Sequence, residues 1–226
     1  MKLRNAGDNS LILYLGDKAS PQLAEQLHAI ALQLKNALGD KLIDLIPSYV
    51  SLLIIYDPLK CDHFYLETQV KQALANAKNS TDQSRQQICL PVYYALESGA
   101  DLEVVAKAKN LSVEEVIALH SEREYHVYAI GFAPGFAYLG ETDARLAMPR
   151  LATPRRKVPA GSVAIADRQT AVYPAASPGG WHLLGLCPQR MFDAEREPPM
   201  LIKNGDSVRF EAIDREHFFA LGGQLP

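Results

Sequence analysis

The chain has few cysteines and no marked excess of charge of either sign. Its three cysteines, Cys61, Cys89 and Cys187, are far apart and form no CxxC pair, which argues against a disulfide framework and a cysteine-rich zinc motif. A formal net charge of −3 gives no general attraction to nucleic acid or to anionic membranes. We therefore expect reduced thiols, no metal site, no nucleic-acid partner and a cytoplasmic location.

Long apolar segments and familiar catalytic motifs are absent as well. The apolar segment 50–56 is too short to span a bilayer, and Asp8 with Asn9 interrupts the apolar region that a signal peptide requires. There is no HExxH motif, no Walker A loop and no Gly-x-Ser-x-Gly nucleophile motif. We expect no membrane partner, and the chain alone carries no complete recognisable catalytic set.

The first third of the chain alternates strand-like and helix-like segments. Leu11–Leu15 is an apolar run typical of a buried strand, and Ser20 followed by Pro21 predicts the start of a helix. A pair of strands within 42–56 and a second helix capped by Asp62 complete the pattern. These segments predict a small α/β sandwich.

A change of character separates this region from the rest of the chain. The segment 78–87 contains no apolar side chain and is the best candidate for a linker. After it, short β-rich runs alternate with glycine and proline turns, which favours a barrel or sandwich. The sequence therefore predicts an α+β protein with one domain over 1–84 and a second over 85–226.

Two aromatic segments rich in glycine and proline are the strongest functional signal. Residues 131–140 read GFAPGFAYLG, and residues 177–182 read SPGGWH. Glycine permits positive φ and proline fixes φ, so a constrained backbone beside aromatic rings predicts a preformed binding surface. Between them, the segment 149–162 carries four cations and predicts an anion site. A glycine-rich barrel corner and a solvated charged loop are the alternative interpretations.

The order and spacing of such motifs resemble a known family over residues 88–218. That family contains the B subunit of bacterial 5-oxoprolinase, the kinase inhibitor KipI and the first subunit of allophanate hydrolase. The resemblance implies a cyclophilin-like β-barrel behind the N-terminal α/β domain. The matching segments are 119–121, 131–140, 153–155, 158–163, 169–170, 173–174, 177–181, 192–193, 198–199 and 205–210.

The resemblance also implies a subunit that does not act alone. A 5-oxoprolinase subunit of this type would associate with a homologous C subunit, and also with an A subunit. The complex would open the lactam 5-oxoproline to glutamate. ATP would be bound in the assembled complex, where the partner subunit is one possible holder. Two alternatives follow from the other members: an inhibitor of a sensor histidine kinase, or a subunit of an allophanate hydrolase or urea carboxylase system.

The chain departs from the family pattern at several positions. Leu186 and Cys187 stand where the resemblance predicts Arg and Thr. A diverged relative is therefore a further alternative. Glycine is expected at Leu96, Glu141, Ala164, Asp167 and Ala171.

Candidate site residues follow from the motifs and from side-chain chemistry. Arg155 is predicted to hold an anion with Arg156 beside it, and Gln169 to donate to a lactam or urea-like carbonyl. His120 and His182 are the candidates for acid–base catalysis, with a helix-end role for His120 and a structural role for His182 as alternatives. Further substrate contacts are predicted at Phe136, Tyr138, Ser162 and Trp181.

Overall fold

The structure is a computed structural model that describes residues 1–77 and 86–226. The chain divides into two compact units, Met1–Arg85 and Gln86–Pro226. Of the predicted linker over 78–87, residues 78–85 lie outside the described residues. Within the described part of the chain, no helix combines the length and the apolar character needed to cross a bilayer.

The described part of the N-terminal unit packs helices against an antiparallel sheet. Its elements are β1 (Lys2–Gly7), β2 (Ser10–Tyr14), α1 (Pro21–Leu38), a 3₁₀ turn (Gly39–Lys41), β3 (Leu42–Ser48), β4 (Ser51–Tyr56) and α2 (His63–Ala77). The strands lie in the order β1-β2-β4-β3. The sequence does not predict strand β1, because most of its side chains are exposed and it lacks the apolar alternation of a half-buried strand.

Capping residues set the helix boundaries of this unit where the sequence predicts them. Ser20 Oγ accepts a hydrogen bond from the Leu23 amide at 3.2 Å, and Gly39 ends α1 at φ 51°. Asp62 Oδ1 accepts from the Tyr65 amide at 2.8 Å at the start of α2. One core of leucine, isoleucine, alanine, valine and tyrosine joins these helices to the sheet.

The C-terminal unit is a closed seven-stranded barrel within residues 86–226. Its barrel strands are β5 (Gln87–Tyr93), β6 (Glu124–Ile130), β7 (Ala137–Gly140), β9 (Ser162–Ala166), β10 (Gln169–Val172), β12 (His182–Leu186) and β13 (Ser207–Ile213). They follow the order β6-β13-β5-β12-β9-β10-β7, and β7 pairs again with β6. Strand β13 runs parallel to β5, whereas the other barrel pairs are antiparallel. Each of these seven strands is therefore paired on both sides.

Smaller elements surround the barrel. They are α3 (Leu102–Lys109), α4 (Val113–Ser121), a 3₁₀ turn (Ala144–Leu146), the paired strands β8 (Arg155–Val158) and β11 (Ser177–Gly179), and α5 (Arg215–Ala220). Ser112 and Glu115 form the predicted capping box at α4. The α+β class and the barrel are confirmed.

Three strands of this unit lie where the sequence indicates only loops. They are β7 in the first aromatic segment, β8 in the basic segment and β11 in the second aromatic segment. Their glycines, prolines and adjacent charges conceal the alternation that identifies a strand from sequence. The family pattern predicts glycine where Asp167 stands, and the structure gives a geometric reason for it. Asp167, between β9 and β10, has a φ of 51°, a value that favours glycine.

Candidate functional site

A pocket in the barrel unit brings the two aromatic segments together. We call it the aromatic pocket, and it has a volume of about 160 Å³. Its walls combine rings, prolines, glycines and one guanidinium. The lining residues are Phe132, Phe136, Tyr138, Arg150, Leu151, Pro154, Tyr173, Pro178, Gly179, Gly180 and Trp181.

The rings of the pocket fix one another by edge-to-face packing. The Phe136 ring centre lies 4.9 Å from that of Tyr138, 5.3 Å from that of Tyr173 and 5.9 Å from that of Trp181. Such arrangements are favoured because the positive ring edge meets the negative ring face. Phe136 and Trp181 are almost fully buried, so these rings have little freedom to move. The structure thus brings the predicted rings Phe136, Tyr138 and Trp181 together in one wall.

Phe132 lies at the rim of this pocket in an unusual conformation. Its φ is 72°, a region that side chains other than glycine rarely occupy, and its surface is 61% exposed. Its ring nevertheless contacts the wall, with a centre 5.1 Å from that of Phe136. Strained backbone of this kind concentrates at functional sites.

The Tyr173 phenol lies against the backbone of the second aromatic segment. A Cβ atom at Gly179 would stand 2.4 Å from the Tyr173 hydroxyl oxygen, so only glycine fits there without movement. Burial raises the pKa of Tyr173, and the positive charge of Arg150 partly opposes this effect. The phenol is therefore protonated at neutral pH, and its hydroxyl, which also bonds with the Trp181 backbone, keeps a proton that it can donate.

Arg150 supplies the positive charge of the pocket. Its Cζ lies 5.9 Å from the centre of the Trp181 ring, within the range of a cation–π contact. In residues 1–77 and 86–226, no carboxylate forms an ion pair with Arg150. This guanidinium is consequently available to pair with an anionic ligand. In the sequence, Arg150 is one of four cations in the segment 149–162, and no local signal distinguishes it from the others.

The predicted anion-binding arginines lie elsewhere. Arg155 Nη2 contacts Asp101 Oδ1 at 2.5 Å, and Arg155 Nη1 donates to the Trp181 carbonyl oxygen at 3.2 Å. Arg156, the next residue of β8, is exposed. Neither side chain lines the aromatic pocket. Ligand binding by Arg155 and Arg156 stays a prediction, and the contacts of Arg155 within the protein already use its charge.

His120 is enclosed in the barrel core. Its Nδ1 lies 2.7 Å from the Tyr94 hydroxyl, its Nε2 lies 2.8 Å from Thr170 Oγ1, and its ring stacks on Phe210 at 4.6 Å. One arrangement of protons satisfies these bonds: Tyr94 donates to Nδ1, and Nε2–H donates to Thr170, which donates to the Ala164 carbonyl. Burial lowers the pKa of His120 to about 3, so the ring is neutral. These contacts support a structural role, and a catalytic one stays a prediction.

The remaining predicted residues also lie outside the residues that line the pocket. His182 Nε2 donates to the Pro149 carbonyl at 2.9 Å, while its buried Nδ1 has no hydrogen-bond partner among the described residues. Ser162 Oγ is likewise buried and has no hydrogen-bond partner among the described residues. Gln169 begins β10 opposite Gly140. Their catalytic or binding roles stay predictions.

Metal binding has no evident location in the part of the chain that the structure describes. There, no group of three or more His, Cys, Asp or Glu side chains comes together in a way that could hold an ion. The chemistry available at the aromatic pocket is instead that of a small anion recognised by a guanidinium, a phenol and ring faces.

Sequence comparison decides the family. The profile described as carboxyltransferase domain, subdomain C and D, matches residues 1–202. The chain belongs to this carboxyltransferase family. A 5-oxoprolinase B subunit from Bacillus subtilis (strain 168) is 36% identical over 229 residues, with 97% of this chain and 95% of that protein covered. One of the same name from Haemophilus influenzae is 39% identical over 210 residues, with 93% and 97% covered. The resemblance described from the motifs is confirmed.

Solved structures share the fold. The crystal structure of TTHA0988 matches with a TM-score of 0.81 at 36% identity and covers 100% of this chain. The chain spans only 41% of the length of TTHA0988. The urea carboxylase of Kluyveromyces lactis matches with a TM-score of 0.70 at 15% identity over 96% of this chain and 22% of that chain, which shows the fold alone.

Proposed function

We propose that the chain is the B subunit of an ATP-dependent 5-oxoprolinase and that the aromatic pocket holds the 5-oxoproline ring. The observation that carries the proposal is the Arg150 guanidinium, which lies beside a wall of fixed rings and has no carboxylate partner among the described residues. The substrate is a five-membered lactam with one carboxylate, and these two parts match the rings and the guanidinium. Relatives of that name at 36% and 39% identity over nearly the whole chain support the assignment.

The size of the pocket favours a small substrate. Its volume of about 160 Å³ lies below the range of roughly 300–1,000 Å³ that is usual for drug-sized ligands. A cavity of about 150 Å³ holds a molecule of the size of benzene. A five-membered ring therefore fits, whereas a nucleoside triphosphate does not.

Each part of the substrate has a counterpart in the pocket. The carboxylate would pair with Arg150, whose planar guanidinium can offer two parallel N–H donors. The Tyr173 hydroxyl would donate to the lactam carbonyl, and Phe136 with Trp181 would contact the faces of the ring. Phe132 at the rim would shield the bound ring from water. The contribution of this chain to catalysis would be to hold the ring in one orientation for reaction.

A partner would complete the catalytic machinery. The relatives at 36% and 39% identity are named as B subunits, which supports an assembly of several polypeptides. A homologous C subunit is the proposed partner, together with an A subunit. ATP would be bound with the partner rather than in the aromatic pocket. A pocket of about 160 Å³ is too small for ATP, and its single guanidinium cannot neutralise a triphosphate. The cytoplasmic location stays a prediction.

The alternatives gain less support. Urea carboxylase shares the fold at 15% identity, which carries no argument about substrate. Inhibition of a sensor histidine kinase stays a prediction, and no feature of the pocket specifically favours it.

Reconstitution tests the proposed function. The purified chain and its two purified partner subunits are mixed with 5-oxoproline and ATP, and glutamate and ADP are measured in the same samples. We expect formation of both products to require all three polypeptides, including this chain. Equal rates with and without this chain would show that the assignment is wrong.

A further inference from the structure

A buried carboxylate connects two elements behind the pocket. Asp101 Oδ1 pairs with Arg155, and Oδ2 accepts from the Leu183 amide at 2.7 Å. The Asp101 amide also donates to the Leu183 carbonyl at 3.0 Å. Although Asp101 occupies the N-cap position of α3, its side chain makes no capping bond there and is only 8% exposed. Both carboxylate oxygens are thus committed to residues outside its own helix.

Arg155 contacts the pocket wall in two ways. Its guanidinium donates to the Trp181 carbonyl at 3.2 Å, while its backbone in β8 pairs with Gly179 of β11. Gly179 and Trp181 both line the aromatic pocket, whereas Arg155 does not. The residue therefore supports the wall from outside the cavity.

The contacts continue from this wall to the positive charge of the pocket. The Leu151 amide donates to the Gly180 carbonyl at 2.7 Å, and Leu151 directly follows Arg150. The segment 179–183 is thus fixed at the carbonyl of Gly180, at the carbonyl of Trp181 and at both backbone groups of Leu183.

We propose that Arg155 and Asp101 are positioning residues, an ion pair that holds the Trp181 wall of the aromatic pocket in its binding geometry. In this role Arg155 does not touch the ligand. A planar guanidinium reaches the carboxylate and the carbonyl at once, which a lysine ammonium on a flexible chain does not reproduce. The identity of the ligand rests on the proposed function, whereas the role of the pair in shaping the wall does not.

The sole tryptophan of the chain provides a direct test. Fluorescence excited at wavelengths that tyrosine does not absorb reports only on Trp181, so its emission maximum and its quenching by acrylamide are measured on the purified chain without ligand. We expect Arg155→Lys and Asp101→Asn to increase the quenching constant by about twofold or more, because loss of the contacts lets the wall open locally. Arg156→Lys, on the exposed neighbour in the same strand, serves as the matched control and should leave it unchanged.

A double variant separates the pair from two independent effects. If Arg155 and Asp101 act together, the double variant increases the quenching constant by less than the two single effects added together, since either substitution alone already breaks their shared contact. Arg155→Lys keeps a positive charge beside Asp101, so it remains informative even where Asp101→Asn does not fold. Wild-type emission and quenching in folded Arg155→Lys would overturn the proposal, as would additive effects in the double variant.

Activity in the assembled complex gives the second readout. We expect Arg155→Lys to raise the KM for 5-oxoproline by roughly 10- to 100-fold, because a displaced wall misplaces the ring. An unchanged KM alongside increased quenching would overturn the link between wall and binding. If the wild-type complex forms no glutamate at all, the proposed function fails, while the fluorescence test of the ion pair still stands.

Discussion

The two units of the chain bury different kinds of residue. In the described part of the N-terminal unit, the one buried polar residue is Ser10, which is 8% exposed. The core of this unit is mainly aliphatic. The barrel unit buries many polar side chains, including Asp101, His120 and His182. Buried polar groups cost stability unless they are hydrogen-bonded. The barrel carries this cost around the candidate site, and the N-terminal unit does not.

The contrast extends to the backbone and the aromatic rings. Among the non-glycine residues that the structure describes, 86–226 hold Asn110, Phe132 and Asp167 at positive φ, and the N-terminal unit holds Tyr49 alone. The clustered rings of the aromatic pocket also lie in 86–226. The N-terminal unit instead contains a conventional helix-on-sheet core. We conclude that substitutions in the first unit should change stability, and that substitutions around the pocket should change binding.

The largest expected effect on stability lies in the N-terminal core. Leu34→Ala should lower the free energy of unfolding of this unit by about 2–5 kcal/mol, because it removes buried apolar contacts and leaves a cavity. Leu32→Ala, on a more exposed position of α1, is the matched control and should cost far less. Denaturant unfolding followed by far-UV circular dichroism measures both, and Trp181 emission of the folded variants should match that of the wild type. An equal loss in both variants would contradict the core assignment.

The largest expected effect on binding lies at Arg150. Arg150→Ala should weaken 5-oxoproline binding by about 10- to 100-fold, since a hydrogen bond to a charged group contributes about 1.5–3 kcal/mol. The KM of the reconstituted complex measures this loss. Lys157→Ala removes a nearby exposed cation of the same segment and should leave KM unchanged. Equal effects of the two substitutions would indicate that only the general charge of the segment matters.

Acid should destabilise the barrel through His120. Its folded pKa of about 3 lies below the ordinary value of 6.5, so between these values the unfolded chain binds a proton that the folded one does not. Stability therefore rises as the pH increases from 3 to 6.5 and falls by up to about 1.4 kcal/mol per unit as the pH drops below 6.5. Urea unfolding at pH 5, 6 and 7 should show a shallower dependence in His120→Gln. The same pH dependence in both proteins would contradict the buried neutral state.

The smallest of these effects is expected from a single added methyl group. Gly179→Ala should lower stability by about 1 kcal/mol, at the low end for overpacking, and weaken binding, because the new Cβ would meet the terminal hydroxyl of Tyr173 at 2.4 Å. Gly131→Ala is the control, since a Cβ added there would have no atom of the described residues within 4 Å. Thermal unfolding and KM measure both variants. Unchanged stability and KM in Gly179→Ala would contradict the close packing of the Tyr173 phenol against the backbone of Gly179.

Local patterns in the sequence predict much of this fold. The caps at Ser20 and Ser112, the barrel strands with apolar alternation and the ring-rich segments all carry their signals within a few residues. The strand β1 lacked such a signal because its side chains face outward. The cyclophilin-like barrel itself came from the family resemblance, because strand order depends on contacts that no local pattern contains.

The charges of the site were harder to predict than its rings. Arg155 and Asp101 are 54 positions apart in the chain, and His120 bonds to Thr170 at a separation of 50. Nothing in the basic segment reveals which guanidinium meets a carboxylate and which one has no carboxylate partner in the described part of the chain. Arg150 therefore emerged as the candidate anion partner only once its position above the Trp181 ring was known.

One measurement tests the central claim most directly. 5-Fluorotryptophan incorporated into this chain gives a single ¹⁹F resonance, from Trp181, even in a complex with unlabelled partner subunits. The complex is titrated with 5-oxoproline and with 2-pyrrolidinone, which has the same lactam ring without the carboxylate. We predict a saturable shift with 5-oxoproline and a response to 2-pyrrolidinone that is about 10- to 100-fold weaker. No shift with 5-oxoproline, or equal responses to both compounds, would contradict a pocket that pairs Arg150 with the substrate carboxylate.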